Sequence, residues 1–119
     1  MIFFDSYAIL EIVKGNPNYL RFGEETIITN TLILSEVFYS LLKEVNAKTA
    51  KEVINKLNID FLNIAEDIAI DSAIFRHKNK RKKLSYADCI GYISALRNNM
   101  RFLTGDKEFK GMKNVEFVK

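Results

Sequence analysis

Two short runs of strand-forming residues, Met1-Ile-Phe-Phe-Asp5 and Arg101-Phe-Leu-Thr-Gly-Asp106, each end on an aspartate, and a helical pattern starts at Ser6 directly after the first. Between them, stretches with apolar residues at helical spacing alternate with short strand-like runs. Such alternation implies a parallel sheet between helices, joined by right-handed crossovers. If the two runs are neighbours in that sheet, Asp5 and Asp106 stand at its carboxyl edge, where open α/β sheets bind their ligands.

The intervening chain reads as scaffolding for that edge. Ala8, Ile9, Ile12 and Val13 recur at helical spacing, and Gly15-Asn16-Pro17-Asn18 stops the helix with turn residues. Tyr19, Leu20 and Phe22 fit one more helical turn before Gly23. Thr26–Thr29 reads as a second strand, and Asn30 or Thr31 can cap a helix with Leu34, Val37, Phe38, Leu41 and Leu42 inward and Glu36 near its start. Ala47–Leu57 continues as an amphipathic helix, and Ile59–Ile64 is a third strand. A long helix from Ala65 to about Lys80 has Ile68, Ala69, Ala73 and Phe75 inward; another, Ser85–Asn99, buries Ile90, Ile93, Ala95 and Leu96. Arg101–Leu103 and Val115–Val118 complete the strands.

With 119 residues the chain is expected to form one domain around one core. Its 48% hydrophobic and 28% charged residues are the balance of a soluble globular protein. No apolar run reaches the roughly 18 residues of a membrane span, and the opening residues lack the basic start of a signal peptide. A cytoplasmic protein is expected. One cysteine, Cys89, and one histidine, His77, supply no Cys/His zinc set, so any metal must be held by oxygen. The net charge of +3 is unevenly spread, because Arg76–Lys83 carries six of the 18 basic side chains. That concentration suits a polyanionic partner, although cations at a helix C-terminus also have a purely structural reading.

Each of four acids has a structural alternative. Asp5 can cap the helix that follows it, Asp88 fits a capping box with Ser85, and Asp106 fits a turn. Glu36 stands beside the apolar pair Val37 and Phe38, where an acid either reaches solvent or has a job. All four nevertheless belong near one end of the fold. Two carboxylates about 4 Å apart repel by roughly 4 kcal/mol at an effective dielectric of about 20. Mg²⁺ or Mn²⁺ offsets such repulsion and keeps positions open for water and phosphate.

Asp5-Ser6 after the first strand, Glu36, Ser85-Tyr-Ala-Asp88 and Thr104-Gly-Asp106-Lys-Glu-Phe109 resemble the four acidic motifs of PIN-domain ribonucleases over nearly the whole chain. The small size is similar to the VapC-like toxins of prokaryotic toxin–antitoxin pairs. The resemblance implies a three-layer α/β sandwich with a short, mostly parallel central sheet. It also implies an Mg²⁺- or Mn²⁺-dependent endoribonuclease, often a homodimer, held inactive by an antitoxin encoded beside it. Carried over by position, the catalytic acids are Asp5, Glu36, Asp88 and Asp106, with Ser6 and Thr104 supporting and Glu108 a fifth acid. Asp5 and Asp106 are the principal metal ligands, Asp88 a third, and Glu36 a ligand through water or an orienter of the nucleophile. Arg76, Lys80, Arg81, Lys82 and Lys83 are then expected to bind the RNA backbone without reading sequence.

The rival expectation is a non-catalytic or RNA-processing PIN-like module that acts through RNA or protein binding. Aspartyl phosphatases want Asp-x-Asp after the first strand, and Asp5-Ser6-Tyr7 lacks the second acid. A receiver domain wants its acceptor aspartate after a middle strand, whereas Asp60 precedes most of its own.

Overall fold

The computed structural model describes residues 1–119. Five short strands form one sheet: β1 (Ile2–Phe4), β2 (Ile27–Thr29), β3 (Ile59–Phe61), β4 (Arg101–Thr104) and β5 (Val115–Phe117). Their order is β3-β2-β1-β4-β5 and every pairing is parallel. The chain thus winds outward from β1 in one direction through β2 and β3, and in the other through β4 and β5. The point where the winding reverses lies between β1 and β4, and their registered pairs Phe3–Phe102 and Phe4–Leu103 bring Asp5 and Thr104 level with each other. A crevice opens at the carboxyl ends of strands at such a switch point.

The α-helices are α1 (Ser6–Lys14), α2 (Thr31–Leu42), α3 (Ala47–Asn55), α4 (Glu66–Lys78) and α5 (Tyr86–Arg97), with 3-10 helices at Pro17–Phe22 and Lys107–Phe109. None is long and apolar enough to cross a membrane. Their starts follow the polar residues at their caps: Asn30, Asn46 and Ser85 accept from the backbone N–H groups of Ile33, Thr49 and Asp88. Gly15, at φ 79°, takes the left-handed conformation that closes α1.

The core gathers Phe3, Phe4, Phe102 and Leu103 of the two central strands, with Ile33 and Val37 of α2 and Tyr92 of α5. Glycine at residue 91 leaves room for neighbouring side chains where α5 packs on the core. A Cβ there would stand 2.8 Å from Ile33 Cδ1 and 3.3 Å from the rings of Phe3 and Phe102. Asp88 lies one turn earlier on the same helix.

Several inward positions differ from those the spacing predicts. On α4, Ile68 is buried as expected, but Ala69 and Ala73 are exposed and Ser72 is buried in their place, its hydroxyl donating to Ile68 O at 2.6 Å. A back-bonded serine is neutral to an apolar interior, so polarity alone misplaces the face by one residue. On α2, Ile33, Val37 and Leu41 are buried, whereas Leu34, Phe38 and Leu42 line an open groove of about 520 Å³ with Ile54 of α3. β3 ends at Phe61, before the predicted Ile64, and β4 runs one residue further, to Thr104.

Candidate active site

Asp5 follows β1 and occupies the cap position of α1, yet its side chain makes no capping bond. The residue is 1% exposed. Its Oδ2 accepts a 2.7 Å hydrogen bond from the Thr104 hydroxyl, and its Oδ1 is buried with no hydrogen-bond partner. A buried carboxylate oxygen left unpaired is costly. Burial first, and then the nearby Asp88 carboxylate, push the Asp5 carboxyl from its ordinary 3.8 up to about 7.

Thr104 joins two of the acidic segments. Its hydroxyl oxygen accepts the Asp106 N–H at 3.1 Å while donating to Asp5. Asp106 in turn caps the short 3-10 helix after β4, its Oδ1 accepting from Glu108 N–H at 3.0 Å. Gly105 between them is obligatory for a spatial reason: a Cβ at this position would collide with the Tyr7 ring and with Val118 O.

Asp88 and Ser85 form a complete capping box. Ser85 N–H donates to Asp88 Oδ2 at 2.8 Å, and Asp88 N–H donates to the Ser85 hydroxyl at 3.1 Å. Burial raises the Asp88 carboxyl, partly opposed by those Ser85 hydrogen bonds. Glu36 enters through the same serine, whose hydroxyl donates to Glu36 Oε2 at 3.3 Å. Burial, and secondly the charge of Asp88, raise the Glu36 carboxyl, while the hydroxyls of Ser6 and Ser85 pull it down.

The cleft at this edge measures about 520 Å³ and is walled by Asp5, Ser6, Asp88 and Asp106, with Tyr7, Lys107 and Lys119 around it. The structure therefore brings three of the four predicted acids to one opening, with Glu36 behind Ser85. As placed, no three carboxylates are closed into a metal-binding shell. The donor set still suits a hard cation: oxygen ligands only, with one buried Asp5 oxygen left without a partner. Glu108 turns the other way, its carboxylate accepting from Lys83 N–H at 3.2 Å. Of the basic segment, Arg76, Lys80 and Lys82 line a separate pocket, and Arg81 and Lys83 lie outside it; all four residues from Lys80 to Lys83 are exposed.

Sequence reasoning missed Lys107 and Lys119 as cations at the cleft. Lys119 reaches it because Val118 N–H pairs with Thr104 O at 2.9 Å and Tyr19 OH donates to Val118 O at 2.6 Å. Nothing local in the sequence announces that return of the last residues to the end of β4.

A family model described as PIN domain matches residues 2–115. The chain belongs to the PIN domain family. Solved structures similar to this PIN domain include a toxin–antitoxin complex from Klebsiella pneumoniae, with a TM-score of 0.76 at 20% identity over 98% of this chain and 96% of that one. VapBC2 from Rickettsia felis, bound to a DNA fragment from its promoter, gives 0.76 at 15% identity over 99% and 98%. VapC20 of Mycobacterium tuberculosis, described as a sarcin–ricin loop cleaving toxin, gives 0.75 at 14% over 99% and 97%. At these identities the likeness concerns the fold, and the PIN domain shares that fold along essentially its whole length. No curated protein matches the chain in sequence.

Proposed function

We propose that this PIN domain is a divalent-metal-dependent endoribonuclease and the toxin of a toxin–antitoxin pair, acting on RNA in the cytoplasm. The observation that carries the reading is the buried Asp5 carboxylate, with one oxygen unpaired, in a cleft shared with Asp88 and Asp106 at the sheet's switch point. Asp5, Asp88 and Asp106 would hold Mg²⁺ or Mn²⁺. Such an ion supplies Lewis acidity and makes water a nucleophile at neutral pH. Thr104 fixes Asp5 and the Asp106 segment relative to each other, and the capping box fixes the Asp88 carboxylate. Glu36, held by Ser85, orients water at the α5 side of the cleft. Lys107 and Lys119 offset phosphate charge at its rim. Water adds to phosphorus as the opposite P–O bond breaks, and the family resemblance points to a 5′-phosphate and a 3′-hydroxyl.

An antitoxin partner belongs to the same reading, which the toxin–antitoxin complexes among the fold's relatives support, and a homodimer is proposed with it from the family resemblance. The open α2–α3 groove, lined by Leu34, Phe38, Tyr39 and Leu42, is apolar surface of the sort that protein partners cover.

The test is cleavage of single-stranded RNA by chelator-treated protein with and without added Mg²⁺ or Mn²⁺. Cleavage should require the ion and fall by at least a hundredfold in both Asp5→Asn and Asp106→Asn, with the fold retained. Equal cleavage by wild type and both variants would place the activity elsewhere. A wild type that cuts no RNA would favour the second reading, a non-catalytic module, to which the capping box of Asp88 and the cap of Asp106 already give local structural roles.

A further inference from the structure

The C-terminal turn of α4 and the first turn of α5 enclose a pocket of about 310 Å³ that is separate from the acidic cleft. Its lining includes Arg76, His77, Lys80, Lys82, Leu84 and Tyr86. The Arg76 guanidinium lies 4.2 Å from the centre of the Tyr86 ring, and its Nε–H donates to Leu84 O at 3.1 Å. The ring is thereby supported on one face by a planar cation fixed to the backbone. The Tyr86 residue is nevertheless 57% exposed. A large aromatic left open to water, pre-positioned and ringed by cations, is not explained by packing.

We propose that this pocket seats one nucleotide of a single-stranded RNA, with the base stacked on the Arg76–Tyr86 platform and the phosphates held by Lys80 and Lys82. The volume, about 310 Å³, lies at the small end of the range for ligand pockets, about 300–1,000 Å³, which suits one nucleotide. Aromatic stacking beside backbone-tracking cations is how proteins hold unpaired strands. An acidic peptide would use the cations alone and leave the ring idle. Continuity with the chemistry is built into the chain, because Tyr86 directly follows Ser85, which holds both Glu36 and Asp88. Lys82 is itself fixed towards the acidic turn, its Nζ donating to Glu108 O at 2.9 Å. A strand seated here would run past the start of α5 into the cleft. The inference rests on the ribonuclease reading and assigns that site a base-binding position.

Binding is measured by anisotropy of a labelled oligouridylate in chelator, where no cutting occurs, over a series of salt concentrations. Tyr86→Ala should weaken binding about tenfold with an unchanged salt slope, because stacking contributes about 1–3 kcal/mol per base. Tyr86→Phe should restore it. The pair Lys80→Gln, Lys82→Gln should flatten the slope of log affinity against log salt by about 1.4, from about 0.7 per phosphate contact. The pair Arg81→Gln, Lys83→Gln, which lies outside the pocket lining, should flatten it less. Thermal melts of each variant confirm folding, and Tyr86→Leu replaces Tyr86→Ala if the alanine variant melts early. Equal binding by Tyr86→Ala and wild type, or an equal or larger slope change in the Arg81, Lys83 pair, overturns the proposal. So does displacement of the oligonucleotide by oligoglutamate with the same Tyr86 insensitivity, which marks a surface for an acidic protein segment. Failure of the ribonuclease reading appears separately, as wild type that binds RNA through Tyr86 and does not cut it when Mg²⁺ is added.

Discussion

At the residue scale, Asp5 stands out because its burial works against its charge. Between its ordinary value of 3.8 and its folded value of about 7, the unfolded chain has released a proton that the folded chain still holds. The folded state then binds more protons, so metal-free stability should fall as pH rises through that window and level off above it. Asp5→Asn keeps an acceptor for the Thr104 hydroxyl and removes the charge. In chelator it should therefore be more stable than wild type at pH 8, by up to a few kcal/mol at about 1.4 kcal/mol per pKa unit, with no advantage at pH 4. Melting curves at the two pH values check this, and a variant less stable at both would show that Asp5 is held chiefly by its hydrogen bond. Asp88 provides the contrast, since Asn can still accept from Ser85 N–H and keep the capping box. Asp88→Ala should lose about 1 kcal/mol relative to Asp88→Asn, the usual worth of a cap.

At the scale of elements, α5 connects the core to the chemistry. Its buried face includes Gly91, Tyr92 and Ala95, while its first turn carries Asp88 and the exposed Tyr86. Helix propensity alone predicts that Gly91→Ala stabilises α5, by roughly 1 kcal/mol. The space around residue 91 predicts the opposite, because the added methyl meets Ile33 and two phenylalanine rings. Overpacking of this kind costs about 1–3 kcal/mol, and it should displace Asp88 along with the helix. Gly91→Ala is thus expected to lower both the melting temperature and any metal response. A variant that melts higher than wild type would mean that the sheet yields freely beneath α5.

On the scale of the whole molecule, the acids come from segments at opposite ends of the chain and meet only when the sheet is complete. Metal binding and folding should therefore be linked. An ion that binds only the folded state at a hundred times its Kd stabilises it by about 2.7 kcal/mol. Mg²⁺ should raise the melting temperature of wild type and raise that of Asp5→Asn or Asp106→Asn much less. An equal rise in all three would point to nonspecific screening by salt.

The sequence by itself determined the class of fold and singled out the acids that are candidates for the site. Short strands alternating with helices leave few arrangements but a parallel sheet, and an aspartate after each of the first and fourth strand runs follows from where those runs stop. Ser85-x-x-Asp88 was legible because a capping box is local. Other features were decided by tertiary structure alone. The Asp5 oxygen has no partner because Thr104, ninety-nine residues away, engages only the other one. Glu36 takes its hydrogen bond from a serine forty-nine residues distant, and Glu108 turns to Lys83, twenty-five residues away. Which cations of the basic segment line the pocket, and the return of Lys119 to the cleft, likewise depend on contacts between distant segments. Local periodicity carries no information about which side chain meets which across a sheet, because that is set by register, close approach and the shape of the packed whole.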